Sequence, residues 1–255
     1  MGILDEFQKD ICDLNAFSYE DYKNSSLDLK LKKIELLNSF YRARYNNLPK
    51  LPIFIDIDGV TLDTMNFAKR LLYMQYGIDY DKRDRKNVEE QKIIASFFKS
   101  LDWKKLLVNT REINRSIDFI KLINDSSMYL PTLYSAVNSE KEQEEKANYF
   151  AHKLPGIEIK FIQAHSPKEC TDPRSVLIDD DNFNLVNWAG YPLHFDSCIS
   201  TFFPNINDLG ELYYLFYRAP DAPEIFIHKE GLYCGLIREK DIKTKKITWK
   251  KKSND

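Results

Sequence analysis

The chain has 255 residues, enough to bury a substantial core as one good-sized domain with appendages or as two small domains. Apolar residues make up 43% and charged residues 30%, as in ordinary soluble proteins, and a net charge of −2 argues against a protein built mainly to coat nucleic acid. No apolar run approaches membrane-spanning length, and the start Met1-Gly2-Ile3-Leu4-Asp5-Glu6 lacks the basic-then-apolar order of a secretory signal, so the expected address is the cytoplasm. Cys12, Cys170, Cys198 and Cys234 form no Cys-x-x-Cys pair, which predicts reduced bystanders rather than a zinc site or a disulfide framework.

Residues 1–47 read as a helical extension packing on the core or on a partner. Leu27, Leu31, Ile34 and Tyr41 recur at near-helical spacing, with Ser25-Ser26 as a cap. Pro49 and Pro52 then break the helix and set an extended approach to Ile53-Phe54-Ile55, a buried strand by its apolar run. That strand ends in Asp56 and Asp58, one residue apart, followed by Gly59 where the chain must turn. Side chains alternate across a strand, so the two carboxylates lean to one side and repel, and a positive group is expected between them. The alternative is a strand end whose acids are hydrated or cap the next helix.

After Asp63-Thr64 a helix is expected with Phe67, Leu71 and Met74 on one face and Gly77 as C-cap. A solvated loop covers 79–86, and a second helix runs from about Asn87 to Ser100. Some seventy residues separate the first strand from the next, more than a simple crossover needs, which predicts a small helical cap over 65–107. Phe97, Phe98, Trp103 and Tyr73 are its aromatic candidates to line an inner wall.

A helix is predicted from Glu112 to Ile123, then a second strand over Met128–Ser135, beginning after Pro131 or bulged there. Ser139 and Glu142 form a capping box opening the helix that carries Lys146. Lys146 is either a solvated lysine in a charge-rich stretch or a contact in a functional site. Ile157–Phe161 reads as a third strand, followed by a loop carrying His165 and Lys168. Ser175-Val-Leu-Ile-Asp-Asp-Asp181 repeats the opening theme of an apolar run and then acids. Gly190–Phe195 is the expected final strand, 208–217 a last helix, and 240–252 a solubilising tail. The order predicts an α/β, Rossmann-like three-layer core with a mostly parallel sheet over 48–64 and 108–217, a cap inserted after the first strand, and a C-terminal extension over 218–255. Asp56, Asp58, Ser135, Lys168, Asp179 and Asp180 all fall at strand ends or just beyond, where such sheets place their ligands. Carboxylates offering only oxygen call for a hard cation, and Mg²⁺ fits better than zinc.

Asp56-Ile57-Asp58-Gly59-Val60 resembles motif I of the haloacid dehalogenase-like phosphatase superfamily, and Val176-Leu177-Ile178-Asp179-Asp180 its motif IV. The resemblance covers roughly residues 51–200. It implies that Asp56 is a nucleophile and Asp58 a general acid and base, that Ser135 and Lys168 bind the phosphoryl group, and that Asp56, Asp58, Asp179 and Asp180 form the metal site. Asp181 is expected to cap the following helix. Lys146, Phe97 and Phe98 are the candidate substrate contacts. Within the superfamily the chain looks most like the 5′-nucleotidase and deoxyribonucleotidase branch, which implies a small phosphorylated substrate, a (deoxy)nucleoside monophosphate. A sugar phosphate or a nucleic-acid end is the competing substrate, and a non-catalytic interaction protein on the same fold is the rival class.

Overall fold

The computed structural model describes residues 19–170, 172–195, 203–218, 225–227, 236–240 and 247–251. Six strands form the central sheet: β1 (Leu51–Ile55), β2 (Tyr129–Val137), β3 (Glu158–Gln163), β4 (Val176–Asp179), β5 (Tyr191–Phe195) and β6 (Asn205–Ile206). Their order is β3-β2-β1-β4-β5-β6, and every pairing is parallel. This is the expected Rossmann-like arrangement, with the chain reversing direction across the sheet between β1 and β4.

The three layers follow from side-chain alternation along apolar strands. Ile53, Ile55, Leu133, Val176, Ile178 and Leu193 enter one core, beneath α2 (Leu27–Tyr45), α6 (Ser116–Asn124) and α7 (Glu140–Lys153). Phe54, Tyr134 and Leu177 enter the other, against Leu185 of α8 (Asn182–Asn187), Trp188 and Phe203. Ile53, Ile55, Val176, Ile178 and Leu193 are fully buried, each contributing roughly 1.5–3 kcal/mol.

β2 runs without a bulge from Tyr129, in continuous register past Pro131. β3 pairing begins only at Thr132, so the proline has a strand on one side alone. The helix expected from Glu112 starts later, at Ser116, because Asn114 and Arg115 take left-handed φ values of 45° and 56°. Glu112 instead accepts the Ile117 N–H at 2.7 Å.

The N-terminal helices pack on the core. α1 (Tyr19–Lys23) and α2 are tied down by Tyr22 Oη, which donates to Asp208 Oδ1 at 2.5 Å, by Lys30 Nζ on Asp208 Oδ2 at 2.7 Å, and by Asn38 Nδ2 on the Leu122 carbonyl at 2.6 Å.

Between β1 and β2, α3 (Thr64–Tyr76), α4 (Val88–Ser100) and α5 (Trp103–Asn109) share a separate apolar cluster of Ala68, Leu72, Ile94, Phe97, Leu101 and Leu106. The buried row of α3 is Thr64, Ala68 and Leu72, while Met74 is 81% exposed, so the helix is rotated from the face expected. α5 bridges two cores: Leu106 joins the cap cluster and Leu107 the main one.

Chain beyond Phe195 adds β6, a 3₁₀ turn at Leu209–Glu211 and the short α9 (Leu212–Leu215), in place of one last helix. Two antiparallel pairs follow, β7 (Phe216–Arg218) with β8 (Ile225–Ile227), and β9 (Leu236–Lys240) with β10 (Ile247–Lys251). The expected lysine-rich tail thus contains a strand, in keeping with the β-branched and aromatic residues of Ile247-Thr-Trp249. Residues 1–18, with Cys12, lie outside the described residues, as do Cys198 and Cys234. Cys170 is a half-buried free thiol beside the Phe54 and Trp188 cluster. Among the described residues no helix is long and apolar enough to cross a membrane.

Candidate functional site

β1 hands directly into the site. The Asp56 N–H still donates to Ile178 of β4 at 2.9 Å, and the chain then folds into a tight loop. In it, the Thr61 and Leu62 amides donate to the Ile57 carbonyl at 3.0 and 2.8 Å, and Thr61 Oγ1 to the Asp56 carbonyl at 2.8 Å. Gly59 takes φ +87°, which glycine adopts without strain. A Cβ there would lie 2.2 Å from Asp180 Oδ2, so the missing side chain also lets Asp180 approach.

The loop separates the two acids that the strand pattern put on one side, and each carboxylate meets its own lysine. Lys168 Nζ lies 2.5 Å from Asp56 Oδ1 and 2.7 Å from Asp179 Oδ2. Lys146 Nζ donates to Asp58 Oδ2 at 2.5 Å, to Glu142 Oε1 at 2.7 Å and to Ser135 Oγ at 3.0 Å. Asp58 also accepts from Ser135 Oγ at 3.1 Å and from Thr64 Oγ1 at 2.5 Å. Both lysines are fully buried.

Asp179 is anchored by the Asp181 N–H at 2.8 Å and by Asn184 Nδ2 at 3.1 and 3.2 Å. Asp181 caps α8, accepting the Phe183 N–H at 2.9 Å, as the sequence predicts.

These surroundings set the acidities. Burial pushes the Asp56 carboxyl well above the usual range; Lys168 opposes this, and the neighbouring Asp179, Asp58 and Asp180 charges reinforce it. Burial acts on Asp58 in the same sense, but the Lys146 charge and the hydrogen bonds from Lys146, Thr64 and Ser135 outweigh it and bring Asp58 below its ordinary value. Asp180 opens to solvent on one face and is crowded by protein on the others. That desolvation, with the Asp179 charge, pushes its carboxyl up to about 7. Lys168 is raised above its ordinary value: its paired carboxylates overcome a burial penalty that alone would lower it.

One carboxylate oxygen each from Asp56, Asp179 and Asp180 lies within 4.8 Å of the others. Oxygen-only donors, two of them raised in pKa by burial and like charge, suit a hard dication such as Mg²⁺. Asp58, expected among the ligands, is not in this group: its carboxylate is turned to Lys146, Ser135 and Thr64.

No family model matches the chain, and no curated protein matches it. Solved structures do. One is a haloacid dehalogenase-like family hydrolase from Streptococcus pneumoniae, 14% identical, covering 58% of this chain and 85% of its own, with a TM-score of 0.40. Another is a haloacid dehalogenase-superfamily hydrolase, subfamily IA variant 1, from Geobacter sulfurreducens, 12% identical, covering 67% and 98%, with a TM-score of 0.43.

The structure thus brings together Asp56, Asp58, Ser135, Lys146, Lys168, Asp179 and Asp180. It does not bring in Phe97 and Phe98. Phe97 is buried in the cap's own core, and the two rings pack edge to face at 5.3 Å, because a cap this small needs its bulkiest apolar residues to hold itself together. Tyr73 is 61% exposed. The cap aromatic that reaches a site residue is Trp103, whose ring centroid lies 4.9 Å from Lys146 Nζ. Glu142 and Thr64 were not anticipated as partners of the site. The i, i+4 spacing of Glu142 and Lys146, continuing to the buried Phe150, is the signal that could have found the first.

Beside the site lies a cavity of about 330 Å³, lined by Gly59, Asp180, Asp63, Asn66, Arg111, Glu112, Ile113, Asn114 and Phe195. Its walls are mostly polar.

Proposed function

We propose that this protein is a Mg²⁺-dependent phosphomonoesterase working through an aspartyl-phosphate on Asp56. The observation that carries the reading is Lys168 lodged between Asp56 and Asp179 with Asp180 close by. A buried lysine and three converging carboxylates at strand ends match a dianionic ligand with its cation, and have no structural purpose that apolar side chains would not serve better.

Asp56, Asp179 and Asp180 would hold the metal, which when bound neutralises charge so that a phosphate dianion can approach a carboxylate. Asp179 already accepts from Lys168, Asn184 and the Asp181 N–H, so Asp180 has the freer lone pairs and is the better direct ligand. Asp56 Oδ attacks phosphorus and the ester P–O bond breaks, with Asp58, which first takes up a proton from solvent, delivering that proton to the leaving oxygen. Water then attacks the aspartyl-phosphate as Asp58, left ionised by that transfer, removes its proton. Lys168 pairs with the phosphoryl oxygens, and Ser135 turns its hydroxyl from Asp58 to one of them.

Nucleoside monophosphates are the substrates that the sequence resemblance favours. A small polar ester such as a sugar phosphate is the second reading. It is favoured by the hydrogen-bonding walls of the 330 Å³ cavity and by the packing of Phe97 and Phe98 away from the site. A phosphate-release panel over nucleotides and sugar phosphates, with Mg²⁺ and with EDTA, tests both. Metal-dependent release abolished by Asp56→Asn supports the proposal; release that ignores EDTA or survives the substitution refutes it.

A further inference from the structure

An ammonium has three N–H donors and no acceptor. Those of Lys146 are all committed, to Asp58, Ser135 and Glu142, inside a fully buried side chain. Two ion-pair partners hold Lys168, Asp56 and Asp179. The two lysines therefore have different tasks, and a phosphoryl oxygen could be met by Lys146 only at the cost of a contact that fixes Asp58.

Two further contacts hold Lys146. Glu142 is itself pinned, its second oxygen accepting the Asn138 N–H at 2.9 Å at the start of α7. From the opposite body, the face of Trp103 covers the ammonium at 4.9 Å. Trp103 opens α5, the helix shared between the cap core and the main core. A cation over an indole face is attracted by the ring quadrupole, most strongly when water is excluded.

We propose that Lys146 is a positioning residue for Asp58 rather than a phosphate ligand, and that Trp103 is the cap residue that completes its setting, so that the seating of the cap is felt at the proton-transfer carboxylate. The inference rests on the phosphatase reading. It predicts that disturbing Lys146 through its neighbours slows turnover and leaves phosphate affinity alone.

The test is steady-state hydrolysis of the best substrate with Mg²⁺, together with competitive inhibition by inorganic phosphate. Trp103→Leu and Glu142→Gln should each lower kcat about tenfold while KM and the phosphate inhibition constant stay within about twofold, and Trp103→Phe should recover most of the loss. Neither substitution removes the Lys146 ammonium, so neither leaves Asp58 as an unpaired buried charge. A tenfold weaker phosphate inhibition in either variant would make Lys146 a phosphate ligand and overturn the proposal. Unchanged kcat in both, on an active wild type, would overturn it equally. A wild type with no metal-dependent release on any phosphomonoester removes the phosphatase reading, and this inference with it.

Discussion

Replacing Lys168 with Met removes one buried charge and leaves two. The ammonium sits 2.5 Å from Asp56 and 2.7 Å from Asp179, and all three side chains are at least nine-tenths buried. Deleting one partner of a buried ion pair costs about 3–5 kcal/mol, because the orphaned charge remains out of water. For a chain of this size that lowers Tm by roughly 6–20 °C. The loss should depend on pH in a defined direction. Asp56 is already raised above its ordinary value and rises further without Lys168. A carboxyl whose folded pKa exceeds its unfolded one binds its proton more tightly when folded, so the variant regains stability as pH falls through the folded pKa toward the unfolded value. Urea denaturation at pH 7.5 and at pH 5 in EDTA measures both effects. A cost under about 1 kcal/mol at pH 7.5, or a cost that does not shrink at pH 5, would mean that Lys168 does not neutralise Asp56 and Asp179 as the distances indicate.

Gly59→Ala places a Cβ 2.2 Å from Asp180 Oδ2 in a backbone with φ +87°, so it should displace Asp180 and weaken Mg²⁺ binding at least tenfold by calorimetry, with a stability loss of about 1–2 kcal/mol. At the proposed metal site Mg²⁺ would compete with the proton on Asp180, whose carboxyl is pushed up to about 7. Apparent affinity should therefore fall roughly tenfold per pH unit below 7, and the rise in Tm on adding Mg²⁺ should be larger at pH 8 than at pH 5.5. A pH-independent Mg²⁺ shift would contradict this.

The strands and their acids were legible because a buried strand needs an uninterrupted apolar run, and carboxylates directly after one are costly without a cation. Val176–Asp179 and Ile53–Asp56 carry both signals within a few residues. Lys146 was ambiguous for the opposite reason. Its neighbours Glu142, Gln143, Glu144 and Glu145 read as a solvated face, and only the docking of α7 through Phe150 turns Glu142 and Lys146 inward. Aromatic composition alone could not separate a ligand wall from a cap core, which is why Phe97 and Phe98 were misplaced and Trp103 was one candidate among four. The late start of α6 rests on the left-handed Asn114 and Arg115, a conformation that apolar periodicity does not encode.

The central claim is that Asp56 carries the phosphoryl group. Rapid acid quench during turnover of a phosphate-labelled substrate, followed by peptide mapping, tests it directly. The expected result is label on the peptide containing Asp56, lost in Asp56→Asn and absent when EDTA is present. Turnover at full rate with the label on Ser135, or with no phosphoenzyme and an active Asp56→Asn protein, would contradict it.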